Sequence, residues 1–196
     1  MDAHFWHQRW EKNQIGFHQS EINVMLVDQL QALSLPGNSR IFVPLCGKSR
    51  DIGWLLAQGH RVVGVELSAL AIEQLFAELG VEPELSTVGN LKHYGAANID
   101  IFVGDIFDLT ADLMGPVDAV YDRAALVALP SNLRQKYGSH VYDITKATPQ
   151  LLICFEYDQT AMAGPPFSID KDELARVYGA SYNLAALASA PVTGGL

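Results

Sequence analysis

The stretch from Arg40 to Leu67, RIFVPLCGKSRDIGWLLAQGHRVVGVEL, constrains the fold more than any other part of the chain. Two short apolar runs flank a segment in which Ile52, Leu55 and Leu56 recur at helical spacing, with Gly59 as its stop. Continuous apolar strands joined by a helix predict a parallel pair buried on both faces, because the crossover helix must lie over the sheet. The turn between them ends in GKS, like the tail of a phosphate-binding P-loop. That loop needs a glycine five positions before Gly47, so that consecutive N–H groups wrap a phosphate chain. Phe42 stands there instead, and Pro44 removes one of the N–H groups. The P-loop reading fails. A strand, a turn at Gly47 and a helix remain, the usual cofactor position in an open α/β sheet.

The alternation continues along the chain. Ser68 caps a predicted helix over Ala69 to Leu79, closed by Gly80. Turns at Gly89-Asn90 and Ala96 to Asn98 predict a strand pair inserted before the GDIF at Gly104 to Phe107. Further strands are expected over Val117 to Tyr121, Gln150 to Tyr157 and Tyr182 to Ala190, and helices over Asn132 to Thr145 and Lys171 to Tyr178. Ahead of the first strand, Glu21 to Leu33 reads as helical. The expectation is an α/β fold, a doubly wound and mostly parallel sheet with an N-terminal helical cover. Residues 1–196 form one domain, divided into a cover over 1–36 and a core over 37–196.

With 196 residues, 49% hydrophobic and 18% charged, the chain can bury a full core. A net charge of −9 and a pI near 5.0 argue against a nucleic-acid surface, which would need a basic face. No apolar run reaches membrane-spanning length, and MDAHFWHQRW lacks the apolar stretch of a signal peptide. Cys46 and Cys154 each sit in an apolar run and read as buried thiols rather than a redox pair. The expectation is a cytoplasmic monomer that binds a small molecule, with neither nucleic acid nor membrane as partner.

Ligands of such sheets sit outside the carboxyl ends of the strands. Leu45, Cys46, Gly47 and Lys48 follow the first strand. Glu66 ends the second, nineteen residues beyond Gly47, close to the spacing at which an acid accepts hydrogen bonds from ribose hydroxyls. Asp105, with Ile106 and Phe107 beside it, suits either an adenine site or a helix cap, and spacing does not separate the two. Arg123 at a strand end suits a carboxylate or another anion; pairing with Asp122 is disfavoured because neighbours on a strand point to opposite faces. A ribose acid without GxGxxG leaves a dinucleotide oxidoreductase with a degraded fingerprint or an S-adenosylmethionine enzyme. The second leads, because one glycine suffices where no pyrophosphate is bound and no paired Tyr/Lys hydride-site motif stands out.

The chain resembles the thiopurine S-methyltransferase family over nearly its whole length. The matching stretches are FWHQRW, GFH at Gly16 to His18, VPLCGKSRDIGWLLAQGHRVVGVELS, GDIFDL, VYDRAALVALP, FEYDQ and GPPFS. The resemblance implies a class I methyltransferase fold, S-adenosyl-L-methionine as cofactor and a small-molecule thiol as substrate. It implies cofactor contacts at Trp10, Leu45, Glu66 and Arg123. Trp6 and Phe17 fall in the same N-terminal motif, with Phe17 expected to touch substrate, and Ile106 follows the adenine-side motif. Gly138 to Thr148 departs from the family pattern. The family continues into a final strand where this sequence ends in Gly194-Gly195-Leu196, so one strand partner is expected to be missing.

The expected activity is methyl transfer to the sulfur of thiopurines or other aromatic and heterocyclic thiols, with selenium and tellurium compounds fitting the same in-line chemistry. A halide/thiol methyltransferase of the same fold and a non-catalytic nucleotide-binding module are the alternatives. No His/carboxylate pair marks the strand ends, so no general base is assigned, and Arg123 is the expected anchor of an anionic substrate. Without a base, the substrate's own pKa would set the pH dependence.

Overall fold

The computed structural model describes residues 3–192. Met1 and Asp2 of the expected cover, and the Gly194-Gly195-Leu196 end, lie outside the described residues.

Strands β1 (Arg40–Pro44) and β2 (Arg61–Glu66) pair in parallel, joined by helix α3 (Arg50–Ala57). Before them come α1 (Ala3–Glu11) and α2 (Val24–Gln29); after them come α4 (Ala69–Leu79) and the strands β3 (Glu84–Val88), β4 (Leu91–Ala96) and β5 (Ile99–Val103). Then follow a single turn of helix α5 (Ala111–Met114), β6 (Ala119–Arg123), α6 (Ser131–Thr145), β7 (Gln150–Ile153) and α7 (Lys171–Tyr178). The seven strands make one sheet in the order β3-β4-β5-β2-β1-β6-β7. The inserted hairpin is antiparallel at the β5 edge, and the other five strands are parallel.

Alternation along the strands sorts the core into two layers. Ile41, Val43, Val62 and Ile101 meet Ile52 and Leu55 of α3, Ile72, Leu75 and Phe76 of α4, and Leu26 of α2. Phe42, Val63, Val65 and Phe102 face the other way, toward Tyr137, Val141 and Ile144 of α6 and Val177 of α7. From β1 the chain winds through β2 to β5 on one side and then to β6 and β7 on the other. The switch point is therefore between β1 and β6, where such sheets open a ligand crevice.

Four expectations are corrected. β6 runs to Arg123 rather than stopping at Tyr121, so Asp122 and Arg123 are strand residues on opposite faces. β7 stops at Ile153, because β6 ends opposite it and the next residues bond elsewhere: Tyr157 N–H to Ser168 Oγ at 2.9 Å, and Ile169 N–H to Phe155 C=O at 2.8 Å. No strand forms over Tyr182 to Ala190; the segment is alanine-rich and largely exposed, so little drives it onto a sheet edge. The expected Glu21 to Leu33 helix starts only after Asn23, whose side chain accepts from the N–H groups of Met25 and Leu26, and its last four residues tighten into a 3₁₀ turn.

Asp51 ties the N-terminal segment to the sheet. Its carboxylate is buried, accepting the Tyr121 hydroxyl at 2.8 Å and the Asn23 N–H at 2.8 Å. Asp51→Ala would orphan both donors and is expected to cost about 2 to 4 kcal/mol in urea unfolding, with Tyr121→Phe costing less. A loss under about 0.5 kcal/mol for Asp51→Ala would show that the link carries no stability.

Candidate active site

The carboxyl ends of β1, β2, β5 and β6 lie along one edge of the sheet. At the end of β2, Glu66 is 6% exposed, so it is not a solvated strand-end carboxylate. One oxygen accepts the Gly47 N–H and the other the Ser68 N–H, both at 2.9 Å. Burial pushes this carboxyl above its ordinary value, and the N–H groups of Ser68 and Gly47 pull it back. Each oxygen keeps lone-pair capacity for a further donor.

The turn after β1 is built for close approach. Leu45 has φ +45° and Gly47 φ +50°, left-handed conformations that side-chain-bearing residues rarely adopt. A Cβ on Gly47 would stand 3.2 Å from the Trp10 indole, so the absent side chain is what lets α1 settle on the turn. Trp10 is buried, and its ring meets Phe17 edge to face at 5.6 Å. Phe17 meets Trp6 at the same distance. The N-terminal segment thus lays an aromatic cluster over the β1 turn, at the edge where the switch point opens.

Arg123 ends β6, beside β1. Among the described residues its guanidinium forms no hydrogen bond or ion pair. Its neighbour Asp122 is turned inward and fully buried, accepting the Tyr137 hydroxyl at 2.6 Å and the Leu126 N–H at 3.2 Å. Asp122 therefore holds the turn in which Ala124 adopts φ +63°, leaving the guanidinium uncommitted. A half-buried cation with no partner at a ligand edge can receive an anion bidentately.

At the end of β5, Gly104 N–H donates to Glu66 C=O at 2.9 Å, bringing GDIF to the same edge. Asp105 caps the following turn through Phe107 N–H at 3.1 Å, so the capping reading holds for one of its oxygens. Ile106 reaches this edge, but its side chain is 1% exposed and packs into the core, while its carbonyl meets His140 Nε2 at 2.8 Å. Cys46 is buried and its thiol is pushed well up by desolvation and by Glu66, which removes it as a nucleophile. Cys46 and Cys154 are both free thiols. The structure thus brings Trp6, Trp10, Phe17, Leu45, Glu66, Ile106 and Arg123 to one edge. His18, within the GFH stretch, belongs to the same N-terminal segment and lies at no strand end.

Solved structures with the same architecture include a methyltransferase dependent on S-adenosylmethionine from Anabaena variabilis (TM-score 0.63, 16% identity, 90% of this chain and 80% of that one). The 1,6-didemethyltoxoflavin-N1-methyltransferase of Burkholderia thailandensis, solved with its namesake compound and S-adenosylhomocysteine bound, aligns with a TM-score of 0.63 at 16% identity over 91% of this chain and 74% of that one. The fold is that of the class I S-adenosylmethionine-dependent methyltransferases. Within that class, the family described as Thiopurine S-methyltransferase matches residues 1–193. Proteins of that name from Xanthobacter autotrophicus and Teredinibacter turnerae are 55% and 50% identical, each over 100% of this chain and 92% and 91% of their own lengths. The chain belongs to the thiopurine S-methyltransferase family. It is an S-adenosyl-L-methionine-dependent S-methyltransferase.

Asp122 gives this edge a pH signature. Burial raises its carboxyl to about 6, despite the hydrogen bonds from Tyr137 and Leu126 that favour the charged form. Between about pH 4 and 6 the native state keeps a proton that the unfolded chain releases, so this group's contribution to stability falls as pH rises through that window. The stability difference between wild type and Asp122→Asn, followed by urea unfolding, should change across that interval and level off above it. A difference that grows in favour of wild type with rising pH would contradict this sign.

Proposed function

We propose that this chain methylates the sulfur of thiopurines and other aromatic or heterocyclic thiols, binding S-adenosyl-L-methionine at the edge between β1 and β6. The observation that carries the reading is the pairing of a buried Glu66, anchored by two N–H groups, with an uncommitted Arg123 across the switch point. The residues fit the donor molecule. Glu66 would hold the ribose diol, Leu45 and Gly47 would let the backbone approach, and Arg123 would meet the amino-acid carboxylate or an anionic substrate. The GDIF turn around Ile106 would border the adenine, through backbone rather than the buried Ile106 side chain. Trp6, Trp10 and Phe17 would close over the sulfonium, with Phe17 also touching substrate. When bound, the donor supplies an already activated methyl group, so the protein's task is to orient the acceptor sulfur and exclude water.

The division into a cover over 1–36 and a core over 37–196 belongs to this reading, supported by the packing of α1 and Phe17 on the turn after β1. So do a monomeric state and a cytoplasmic location, the latter supported by two free thiols. Among the described residues, no helix is long and apolar enough to cross a membrane. Selenium and tellurium compounds fit the same transfer.

Glu66→Gln keeps the side chain's length and should weaken S-adenosylhomocysteine binding by about 1.5 to 3 kcal/mol in calorimetric titration, read against the variant's own melting curve. Unchanged affinity would remove Glu66 from the ribose site. Arg123→Lys should retain part of the methylation of an anionic thiol and Arg123→Met less. Mass-spectrometric assay of thiols, selenite and iodide would replace this reading with the halide alternative if iodide alone were methylated.

A further inference from the structure

We infer that His18 is a catalytic residue that takes the proton from neutral thiol substrates; the inference rests on the S-methyltransferase site proposed above. His18 follows Phe17 in the N-terminal segment, and Phe17 packs on Trp10, which itself lies on Gly47. Lys48 and Arg50 beside the turn after β1, and Arg123 at the end of β6, act on the His18 ring, which sets it at the carboxyl edge of the sheet. Its backbone closes a local turn through the bond from His18 N–H to Ile15 C=O at 2.8 Å. The ring is half-buried, and among the described residues neither of its nitrogens has a hydrogen-bond partner. Both remain available to a ligand.

The charged groups around it come from each neighbouring element: Lys48 in the turn after β1, Arg50 at the start of α3, Glu78 on α4 and Arg123 at the end of β6. Lys48 is committed to Glu78 at 2.7 Å, whereas the Arg123 guanidinium has no hydrogen bond or ion pair among the described residues. An acceptor sulfur bound at this edge would have His18 as a proton acceptor and Arg123 as a stabilising cation. Burial, and after it the positive charge of Lys48, pushes the His18 imidazole below its ordinary value, with Arg50 and Arg123 adding to the shift and Glu78 opposing it. A ring so placed is neutral near pH 7 and able to accept a proton.

The step balances without any further reactant. The S–H proton passes to the imidazole, and the electron pair stays on sulfur. That pair forms the new bond to the methyl carbon as the carbon's bond to the sulfonium sulfur breaks, the departing pair cancelling the positive charge. The imidazolium then returns its proton to water. A thiol already ionised needs no such acceptor, whereas an alkyl thiol with a pKa of about 8.5 is only a few per cent ionised at neutrality. His18 therefore widens the range of acceptors toward the less acidic thiols.

The test compares wild type and His18→Gln on an alkyl thiol and on an aromatic thiol that is ionised at pH 7. In the wild type, kcat/KM for the alkyl thiol should rise with pH along a limb set by His18, below pH 6.5. In His18→Gln that limb should move to the thiol's own pKa, with a loss of about ten- to thirtyfold at pH 7, the inverse of the ionised fraction. The aromatic thiol should lose less than about threefold. By NMR, the His18 ring should titrate below 6.5 in the absence of any ligand and move upward in Arg123→Met. S-adenosylhomocysteine affinity in His18→Gln, measured by calorimetry, should stay within about twofold of wild type. An equal loss on both thiols, or a wild-type limb that already follows each thiol's pKa, would overturn the role of His18 while leaving the donor site standing. Failure of the wild type to bind S-adenosylhomocysteine would overturn the donor site, and the role of His18 with it.

Discussion

The Glu66 carboxylate is the tie on which the active edge depends. Its two oxygens take N–H groups from two different turns, Gly47 after β1 and Ser68 after β2. Burying a carboxylate is costly unless donors compensate, and these two donors are backbone, fixed by the strands they follow. The same tie sets the spacing of the crevice, because Gly104 also bonds to the Glu66 carbonyl. Three strand ends are thereby locked to one residue. A group so placed is pre-organised, since a ligand hydroxyl meets an acceptor whose position is already determined.

The N-terminal segment depends on that tie in turn. Trp10 lies close on the turn after β1, where a side chain on Gly47 would crowd its indole, and Gly47 is held by Glu66. A second anchor, from Asn23 to Asp51 and on to Tyr121, pins the segment's far end to the sheet. Between these anchors lie Phe17 and His18. The N-terminal segment is thus fastened on both sides of the residues proposed to meet the substrate, an arrangement suited to local opening without loss of the fold.

Much of this was legible in the residues, and the exceptions have physical causes. The apolar runs of β1 and β2, the capping serine Ser68 and the stop at Gly80 are local signals, and the elements follow them closely. The hairpin before GDIF was readable from its turn residues alone. The run from Gln150 to Tyr157 looked like one strand because composition does not show that its second half bonds to Ser168 and Ile169. Tyr182 to Ala190 carries enough apolar residues to suggest a strand but stays irregular and largely exposed. In the site, Glu66 and Arg123 were visible from their place at strand ends. That Glu66 is bound by two turns, and that Arg123 is uncommitted because Asp122 is engaged by Tyr137, needed the tertiary structure. The side chain of Ile106 shows the limit of motif reading, since position in the motif does not say which way a residue points.

The central claim is that the aromatic segment from Ala3 to Gln19 closes over a donor site whose floor is Glu66. Hydrogen–deuterium exchange, followed by mass spectrometry with and without S-adenosylhomocysteine, tests both halves of it in one experiment. Exchange across residues 3–19 should slow on binding, together with the Gly47 and Ser68 amides that hold the Glu66 carboxylate, while the inserted hairpin of β3 and β4 stays unchanged. Protection at the strand ends with no change across residues 3–19 would show that the tryptophans are core packing and not a cover, and would contradict the account.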